Sequence, residues 1–185
     1  MSAIAHKLLT AAEFARLPNP ADGAKQELVR GEVITMPPPG FRHGRGQVRI
    51  AGLLDRFVTA KQLGRITVET GLITELDPDT VRGPDVSFWS YERLPINIVP
   101  EGYPDVAADL CVEILSPGDR LSRLREKIAE YFARGVRMVW VVDPENRSVT
   151  VYRSPTEEHV LSEGATLSGE DVLSGFTCLV SELFD

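Results

Sequence analysis

Two acidic residues and one lysine have types and spacings that suit phosphate chemistry. Asp85 follows Gly83-Pro84 at the start of a predicted apolar strand, Glu113 lies in a second such strand, and Lys127 lies on the helix that comes next. Neighbouring strands are only about 4.8 Å apart, so Asp85 and Glu113 could hold one divalent cation between them. Mg²⁺ takes one or two carboxylates and also binds phosphate oxygens, and a nearby ammonium would stabilise the charge on an attacked phosphate. The pattern indicates a metal-dependent phosphodiesterase of nuclease type.

Each acidic residue also has a purely structural interpretation. Pro-Asp is a common turn pair, so a turn is the more frequent explanation of Asp85 taken alone. Glu113 differs, because it lies in the nearly continuous apolar run of residues 110–115, which is typical of a strand covered on both faces. A buried carboxylate must be paired, protonated or bound to a metal, and buried acids are frequent at functional sites. Glu113 therefore favours a functional interpretation.

The helix predicted over residues 120–134 positions Lys127. At about 100° per residue, its apolar residues form one stripe that would face the sheet. That stripe consists of Leu121, Leu124, Ile128 and Phe132. One flank of the stripe consists of Arg120, Lys127, Tyr131 and Arg134. Lys127 would thus border the buried face with its ammonium reaching outward, although a surface lysine paired with acids of the same helix fits the pattern equally well.

The remaining elements follow from periodicity and from Gly and Pro breaks. A capping box, Thr10-Ala-Ala-Glu13, begins a helix over residues 11–17, and residues 27–36 read as a tight hairpin around Gly31. A long helix is predicted over residues 42–62. Strands are predicted over residues 65–76, 81–89, 107–115, 136–142 and 148–153. Residues 91–105 read as an irregular loop, and the tail from residue 158 is expected to hold one short strand, turns and a last amphipathic turn.

Basic residues crowd the first turns of the long helix. Arg42, His43, Arg45 and Arg49 lie there, where positive charge opposes the helix dipole. Helix stability does not explain them, whereas binding of an anion such as phosphate would. A solvated basic face is an equally good explanation from composition alone.

Composition describes an ordinary globular chain. Its 185 residues are 43% hydrophobic and 25% charged, which suits one domain with a normal core. The net charge of −7 argues against broad nonspecific coating of nucleic acid, although a locally basic cleft remains compatible with it. Cys111 and Cys178 form no Cys-x-x-Cys pair, so neither a zinc site nor a disulfide framework is indicated. The sequence lacks the apolar segments of a signal peptide or a membrane span, so a soluble cytoplasmic protein is expected.

Several motifs, taken in order, resemble a known family. The motifs are Pro84-Asp85, Glu113-Ile-Leu-Ser-Pro117, a helical Glu126-Lys127 with Tyr131, and Val139-Trp-Val-Val-Asp143-Pro144. Together they resemble the Uma-two family of putative restriction endonucleases, which belongs to the PD-(D/E)XK nuclease-like superfamily. The resemblance extends from the hairpin that begins at Glu27 to Pro144.

The resemblance implies an α/β fold with a mixed sheet and a restriction-endonuclease-like core. The core would contain helix 42–62, a meander of strands 65–76, 81–89 and 107–115, helix 120–134 and strand 136–142. One domain over residues 1–185 is implied. Its core would span about 42–142, with an N-terminal helix and hairpin in 1–40 and a C-terminal extension in 143–185.

The resemblance also implies a site for Mg²⁺ or Mn²⁺. Asp85 and Glu113 match the two metal-binding acids, and the backbone carbonyl of Ile114 would be a further ligand. His43 and Glu27 lie where family members place additional site residues.

The superfamily lysine is missing from its usual place. Two residues after the second acid, this chain has Leu115. The family is thought to use a lysine from the following helix, which here is Lys127, so the expected catalytic residues are Asp85, Glu113, His43 and Lys127. Tyr131 would line the site, and Arg42, Arg45 and Arg120 would bind phosphates.

Two functions fit these features. One is a metal-dependent endonuclease that hydrolyses phosphodiester bonds by in-line attack of water, on DNA rather than RNA. The other is a nuclease-fold binding module without turnover. Cleavage of both strands of a duplex with one site per chain further predicts a homodimer, and no membrane partner is expected.

Overall fold

The computed structural model describes residues 7–18 and 20–184. The helices are α1 (Ala11–Phe14), α2 (Phe41–Lys61) and α3 (Leu121–Arg134), with a 3₁₀ helix at Val180–Leu183. The strands before α3 are β1 (Lys25–Val29), β2 (Glu32–Met36), β3 (Gly64–Val68), β4 (Leu72–Glu75), β5 (Thr80–Arg82), β6 (Val86–Ser90) and β7 (Leu110–Ile114). Those after it are β8 (Met138–Asp143), β9 (Ser148–Ser154), β10 (Glu157–Ser162), β11 (Thr166–Ser168) and β12 (Thr177–Leu179).

The largest sheet is mixed, with strand order β10-β9-β8-β7-β6-β3. Its strands β7 and β8 are parallel, and the other neighbours are antiparallel. A parallel pair needs a crossover connection, which α3 supplies. A four-stranded sheet, in the order β2-β1-β5-β4, contains the N-terminal hairpin. The predicted α/β class with a mixed sheet is confirmed.

Local signals fixed the ends of several elements correctly. The capping box is formed, since the Thr10 side chain accepts from the Glu13 backbone and the Glu13 side chain accepts from that of Thr10. Gly135 ends α3 at a φ of 102°, a left-handed conformation that glycine adopts at little cost. However, α1 ends at Phe14, short of the predicted 11–17, because Pro18 has no backbone N–H to donate to the Phe14 carbonyl and continue the helix.

Two predicted strands are wrong as continuous elements. The predicted strand 65–76 is split into β3 and β4, and the predicted strand 81–89 into β5 and β6, with the halves in different sheets. The first split falls at Glu69, whose φ is 51°, and the second at Gly83-Pro84. The backbone N–H of Glu69 donates to the carbonyl of Pro84 at 3.1 Å. The two sheets therefore separate at one place, directly before Asp85.

The main sheet lies between α2 and α3. On the α2 side, Ile50 and Leu54 pack with Val112 and Ile114 of β7. On the α3 side, Ile128 and Tyr131 pack with Cys111 of β7 and with residues of β8. Alternation along β7 places Glu113 on the α3 side with Cys111. The predicted burial of this strand on both faces is confirmed, since every residue of β7 is buried.

The predicted apolar stripe of α3 is partly wrong. Leu121 is 65% exposed, whereas Tyr131, assigned to the flank, is fully buried. The reason is that α3 contacts β4 of the second sheet as well as β8 of the first. Its buried surface is therefore turned toward the flank that contains Lys127.

The C-terminal part has more strands than predicted. Three strands, β10 to β12, follow β9 within the described residues, where one was expected. These strands form their backbone hydrogen bonds by antiparallel pairing of β10 with β9 and of β11 with β12. Residues 91–109 contain no helix or strand, which agrees with the loop predicted over 91–105. Within residues 7–18 and 20–184, no helix has the length and apolar character needed to cross a membrane.

Candidate active site

Asp85 lies at the point where the two sheets separate, and its carboxylate is almost completely enclosed. It is 3% exposed. The backbone N–H of Ile114 donates to its Oδ2 at 2.7 Å, and Lys25 Nζ lies 2.9 Å from its Oδ1. Burial alone would raise the pKa of Asp85, but the hydrogen bond from His43 and the charge of Lys25 outweigh it and hold this pKa below its ordinary value. The carboxylate therefore stays ionised beside the end of β7.

His43 reaches Asp85 from the first turn of α2. Its Nε2 lies 3.3 Å from Asp85 Oδ1, and its Nδ1 lies 3.1 Å from Ser116 Oγ. The hydrogen bond with Asp85 raises the pKa of His43 more than burial lowers it. With both ring nitrogens engaged, the imidazole is fixed between α2, Asp85 and the segment after β7.

Glu113 occupies the end of β7 and is 7% exposed. The Tyr131 hydroxyl donates to its Oε1 at 2.5 Å, and Lys127 Nζ donates to its two oxygens at 3.1 and 3.3 Å. Burial raises the pKa of Glu113, and the charge of Asp85 adds to this, so the opposing charge of Lys127 does not restore the ordinary value. A further cation beside Glu113 would therefore stabilise its ionised form.

Lys127 is held by two carboxylates from different elements. Its Nζ lies 2.9 Å from Glu27 Oε1 and 3.1 Å from Glu113 Oε2. Burial alone would lower the pKa of Lys127, but Glu113 and Glu27 outweigh it, so this pKa lies above its ordinary value. The ammonium is charged and directed at the end of β7, so the surface-lysine interpretation is wrong.

Glu27 connects the lysine to a buried ion-pair network. Its Oε2 lies 3.1 Å from Arg82 Nη1, and its Oε1 accepts from the backbone N–H of Gly83 at 3.2 Å. Arg82 donates two further bonds of 2.7 Å to the carboxylate of Glu130 on α3. The network ties β1, β5 and α3 together immediately behind Lys127.

Among the described residues, the three predicted phosphate-binding arginines form no ion pair with Asp85 or Glu113. Arg42 and Arg45 line a recess of about 440 Å³ together with Val142 and Leu183, which the acidic cluster does not share. Arg120 is the exposed N-cap residue of α3. Their binding of phosphate stays a prediction.

The chemistry of the donor set suits a hard divalent cation. Asp85, Glu113 and the backbone of Ile114 meet at one place, joined by the Ile114 N–H bond to Asp85, and they offer only oxygen ligands. Two carboxylates suffice for Mg²⁺, which completes its coordination with water and phosphate oxygens. In the part of the chain that the structure describes, no group of three or more His, Cys, Asp or Glu side chains converges on a metal position. The two carboxylates and the Ile114 carbonyl fit a hard cation such as Mg²⁺ or Mn²⁺.

Comparison with known proteins identifies a family and a shared fold. Residues 11–181 match the sequence profile of the Uma2 family, described as putative restriction endonuclease. The chain belongs to this family. A crystal structure of a putative nuclease belonging to DUF820 from Anabaena variabilis is similar, with a TM-score of 0.81, 24% identity, and coverage of 95% of this chain and 97% of that chain. This likeness shows a shared fold. No curated protein matches the chain.

In this Uma2-family chain, sequence reasoning missed Lys25, Arg82 and Glu130. A signal for Lys25 did exist, because residues two apart on a strand share a face, which places Lys25 beside Glu27 on β1. Arg82 and Glu130 carry no comparable signal. Their pairing depends on how α3 is placed against the second sheet.

Proposed function

We propose that this protein is a metal-dependent endonuclease that hydrolyses phosphodiester bonds in nucleic acid, DNA in preference to RNA. The observation that carries the proposal is the convergence of Asp85, Glu113 and the charged Lys127 where the two sheets separate. The description of the Uma2 family and that of the Anabaena protein support it. Restriction endonucleases cut DNA, which is why DNA is the proposed substrate.

The two acids would hold the cation, with the carbonyl of Ile114 as a further ligand. A bound Mg²⁺ or Mn²⁺ supplies positive charge at the phosphate and lowers the pKa of a water molecule. Asp85 is preorganised for this role because Ile114 and His43 fix both of its oxygens. Glu113 is oriented by Tyr131 and Lys127.

Lys127 would supply the fixed positive charge that Leu115 cannot. Its ammonium lies 3.1 Å from Glu113 and is kept protonated by two carboxylates. A cation oriented in advance toward a phosphate stabilises the charge that develops there at little reorganisation cost. His43, held between Asp85 and Ser116, is the group placed to carry a proton to or from the reacting oxygens.

The test is cleavage of supercoiled plasmid by purified protein with Mg²⁺ or Mn²⁺. We expect nicked or linear products with the wild type, none with Asp85→Asn, and none in EDTA. Asp55→Asn is the matched control, because Asp55 is an exposed residue of α2. Cleavage by Asp85→Asn at the wild-type rate would contradict the proposal, and a single-stranded RNA substrate run in parallel decides between the nucleic acids.

The metal also has a test that is independent of turnover. A ligand at about a hundred times its Kd stabilises a protein by roughly 2.7 kcal/mol, so Mn²⁺ should raise the melting temperature of the wild type. Glu113→Ala should remove this effect. Unchanged melting of the wild type in millimolar Mn²⁺ would show that the proposed metal site is wrong.

A binding module without turnover is the second candidate. The observation in its favour is that Lys25 and Lys127 neutralise both metal-binding acids in the absence of any cation. Such a module would bind duplex DNA in a gel-shift assay with and without Mn²⁺ and would leave every substrate intact. Cleavage abolished by Asp85→Asn excludes it.

We also propose that the active form is a homodimer. Each chain offers one Asp85–Glu113 pair, and a duplex has two strands to cut. Two chains related by a two-fold axis would present one site to each strand.

A further inference from the structure

We propose that Lys25 is a built-in competitor of the metal, a tethered ammonium that neutralises Asp85 in the metal-free protein and is displaced when a divalent cation binds. The inference rests on the proposed function, since it assigns a role to Lys25 toward the same two acids. It makes Lys25 a residue that sets metal affinity, separate from the charge that Lys127 supplies.

Lys25 is held in contact with the principal metal-binding acid. Its Nζ lies 2.9 Å from Asp85 Oδ1, and its side chain is 15% exposed. Gly83 leaves room for the lysine stem, because a Cβ at that position would lie 3.3 Å from Lys25 Cε. An ammonium and a hard cation both bind carboxylate oxygens, so the two compete for Asp85.

The charges of the buried cluster leave little room for an added cation. Its carboxylates are those of Glu27, Asp85, Glu113 and Glu130, and its cations are Lys25, Arg82, Lys127 and, when protonated, His43. A divalent cation would place excess positive charge in a site that is largely closed to solvent. With His43 neutral, four carboxylates and three cations leave one net negative charge, so a divalent cation would make the cluster positive by one and release of one ammonium would return it to neutrality.

Lys25 is the cation that can leave with the least disruption. Lys127 and Arg82 each bridge two carboxylates from different elements. Lys25 has its hydrogen-bonded ion pair with Asp85 alone among the described residues. Removing Lys25 from Asp85 therefore separates one pair, whereas removing either of the others would separate two.

The structure also offers the displaced ammonium a destination. Lys25 lines an open recess of about 490 Å³, and Glu69, an exposed residue, lines the same recess. Gln47 links Asp85 to Glu69, because its side-chain amide donates to the backbone carbonyl of Asp85 at 2.9 Å and to Glu69 Oε1 at 3.2 Å. Lys25 can thus exchange one carboxylate for another without leaving solvent-accessible space.

The test is calorimetric titration of metal-free protein with MnCl₂ in the absence of nucleic acid. We expect Lys25→Met to bind Mn²⁺ at least about tenfold more tightly than the wild type, the factor that corresponds to 1.4 kcal/mol. Metal-free Lys25→Met should also melt at a lower temperature than the metal-free wild type, because Asp85 loses its ammonium partner. Mn²⁺ should raise the melting temperature of Lys25→Met by more than it raises that of the wild type. Lys61→Met, which removes an exposed lysine at the end of α2, is the matched control and should equal the wild type in affinity.

The outcomes separate this inference from the proposed function. If Lys25→Met binds Mn²⁺ as the wild type does, or more weakly, Lys25 is not a competitor, and the metal site stands without it. If neither protein binds Mn²⁺, the metal site and this inference both fail. Lys25→Gln, whose amide can still donate to Asp85, provides a second neutral variant should Lys25→Met not fold, and the same gain in affinity is expected.

Discussion

Lys127 joins α3 to both β1 and β7 through a single ammonium group. Its partners, Glu27 and Glu113, are buried, and the lysine side chain is 14% exposed. Position in the helical stripe suggested a residue at the edge of the buried surface with its ammonium reaching outward. In the structure the ammonium instead lies between two enclosed carboxylates.

Lys127→Met should separate catalysis from metal binding. Loss of one oriented cation at a transition state typically costs about a hundred- to a thousand-fold in rate, so single-turnover cleavage at saturating Mn²⁺ should slow by that factor. Mn²⁺ binding should persist, since Asp85 and Glu113 remain. The free energy of unfolding should fall by on the order of 3 kcal/mol, the cost of breaking a buried pair.

Lys61→Met is the appropriate comparison for this variant, because it removes the same charge from an exposed position. It should leave the cleavage rate unchanged. A wild-type cleavage rate for Lys127→Met would show that its ammonium serves only the ion-pair network.

Glu113 should make stability depend on pH in the absence of metal. Its pKa is raised above the ordinary value of 4.5 by burial and by Asp85. A group whose folded pKa is raised contributes stability that is fully present below the unfolded pKa and is lost as pH rises through the folded pKa. From about pH 4.5 upward, wild-type protein in EDTA should therefore lose stability relative to Glu113→Gln.

The measurement is urea unfolding of both proteins in EDTA across this pH range. The comparison isolates Glu113, because all other titrating groups are common to the two chains. A difference in the free energy of unfolding that does not change with pH would show that the pKa of Glu113 is not raised. Added Mn²⁺ should reverse the trend for the wild type alone.

At the scale of elements, sequence patterns identified the helices and the buried strand well. Some signals are local and can be read without tertiary information. They include the caps at Thr10 and Gly135 and the apolar run of β7. The order of motifs further identified Asp85, Glu113 and Lys127, which the structure brings together.

The splitting of strands could not be predicted in the same way. Alternation of apolar residues continues through residues 65–76 and does not record which sheet each half joins. The left-handed conformation of Glu69 marks the change of sheet, and a glutamate gives no sequence signal for it. Arg82 was missed for the same reason, since it meets Glu130 only after the second sheet is placed.

The Arg82–Glu130 pair holds α3 against the second sheet and should be a large contributor to stability. Its two bonds of 2.7 Å are buried, and Arg82 also contacts Glu27. Arg82→Met removes the ion-pair partner of the enclosed Glu130 and one of the two cations that contact Glu27, so the free energy of unfolding should fall by about 3–5 kcal/mol. Cleavage should fall as well, because Arg82 would no longer orient the Glu27 carboxylate that contacts Lys127.

A double-mutant cycle with Arg82→Met and Glu130→Gln measures the coupling by chemical denaturation. The half-exposed Glu163, paired with Arg147 at 2.7 Å, provides the contrast, because surface pairs contribute only about 0–1 kcal/mol. Glu163→Gln should therefore change the unfolding free energy little. A loss no larger for Arg82→Met than for Glu163→Gln would contradict the proposed role of the pair.

At the scale of the whole molecule, neither the net charge nor the charge of the site attracts a polyanion such as DNA. The chain carries a net charge of −7, and the lysines of the site are already paired with carboxylates. Attraction of a polyanion must then come from other basic groups, and the predicted ones are Arg42 and Arg45 at the start of α2 and Arg120 at the start of α3. Arg42→Gln combined with Arg45→Gln should weaken DNA binding and reduce its salt dependence, as measured by fluorescence anisotropy at several salt concentrations. An unchanged salt slope would remove these arginines from the interface.

Assembly is the last property that the proposed activity requires. If two chains act on the two strands of a duplex, wild-type protein should sediment as a dimer at tens of micromolar, with or without DNA, and should linearise plasmid with little accumulation of nicked circles. Mixing the wild type with an excess of Asp85→Asn gives the sharper measurement. In mixed dimers one site would cut and the other would not, so nicked circles should accumulate as the inactive chain increases. A monomer in sedimentation, or an inactive chain that slows cleavage without changing the ratio of nicked to linear product, would show that each chain acts alone.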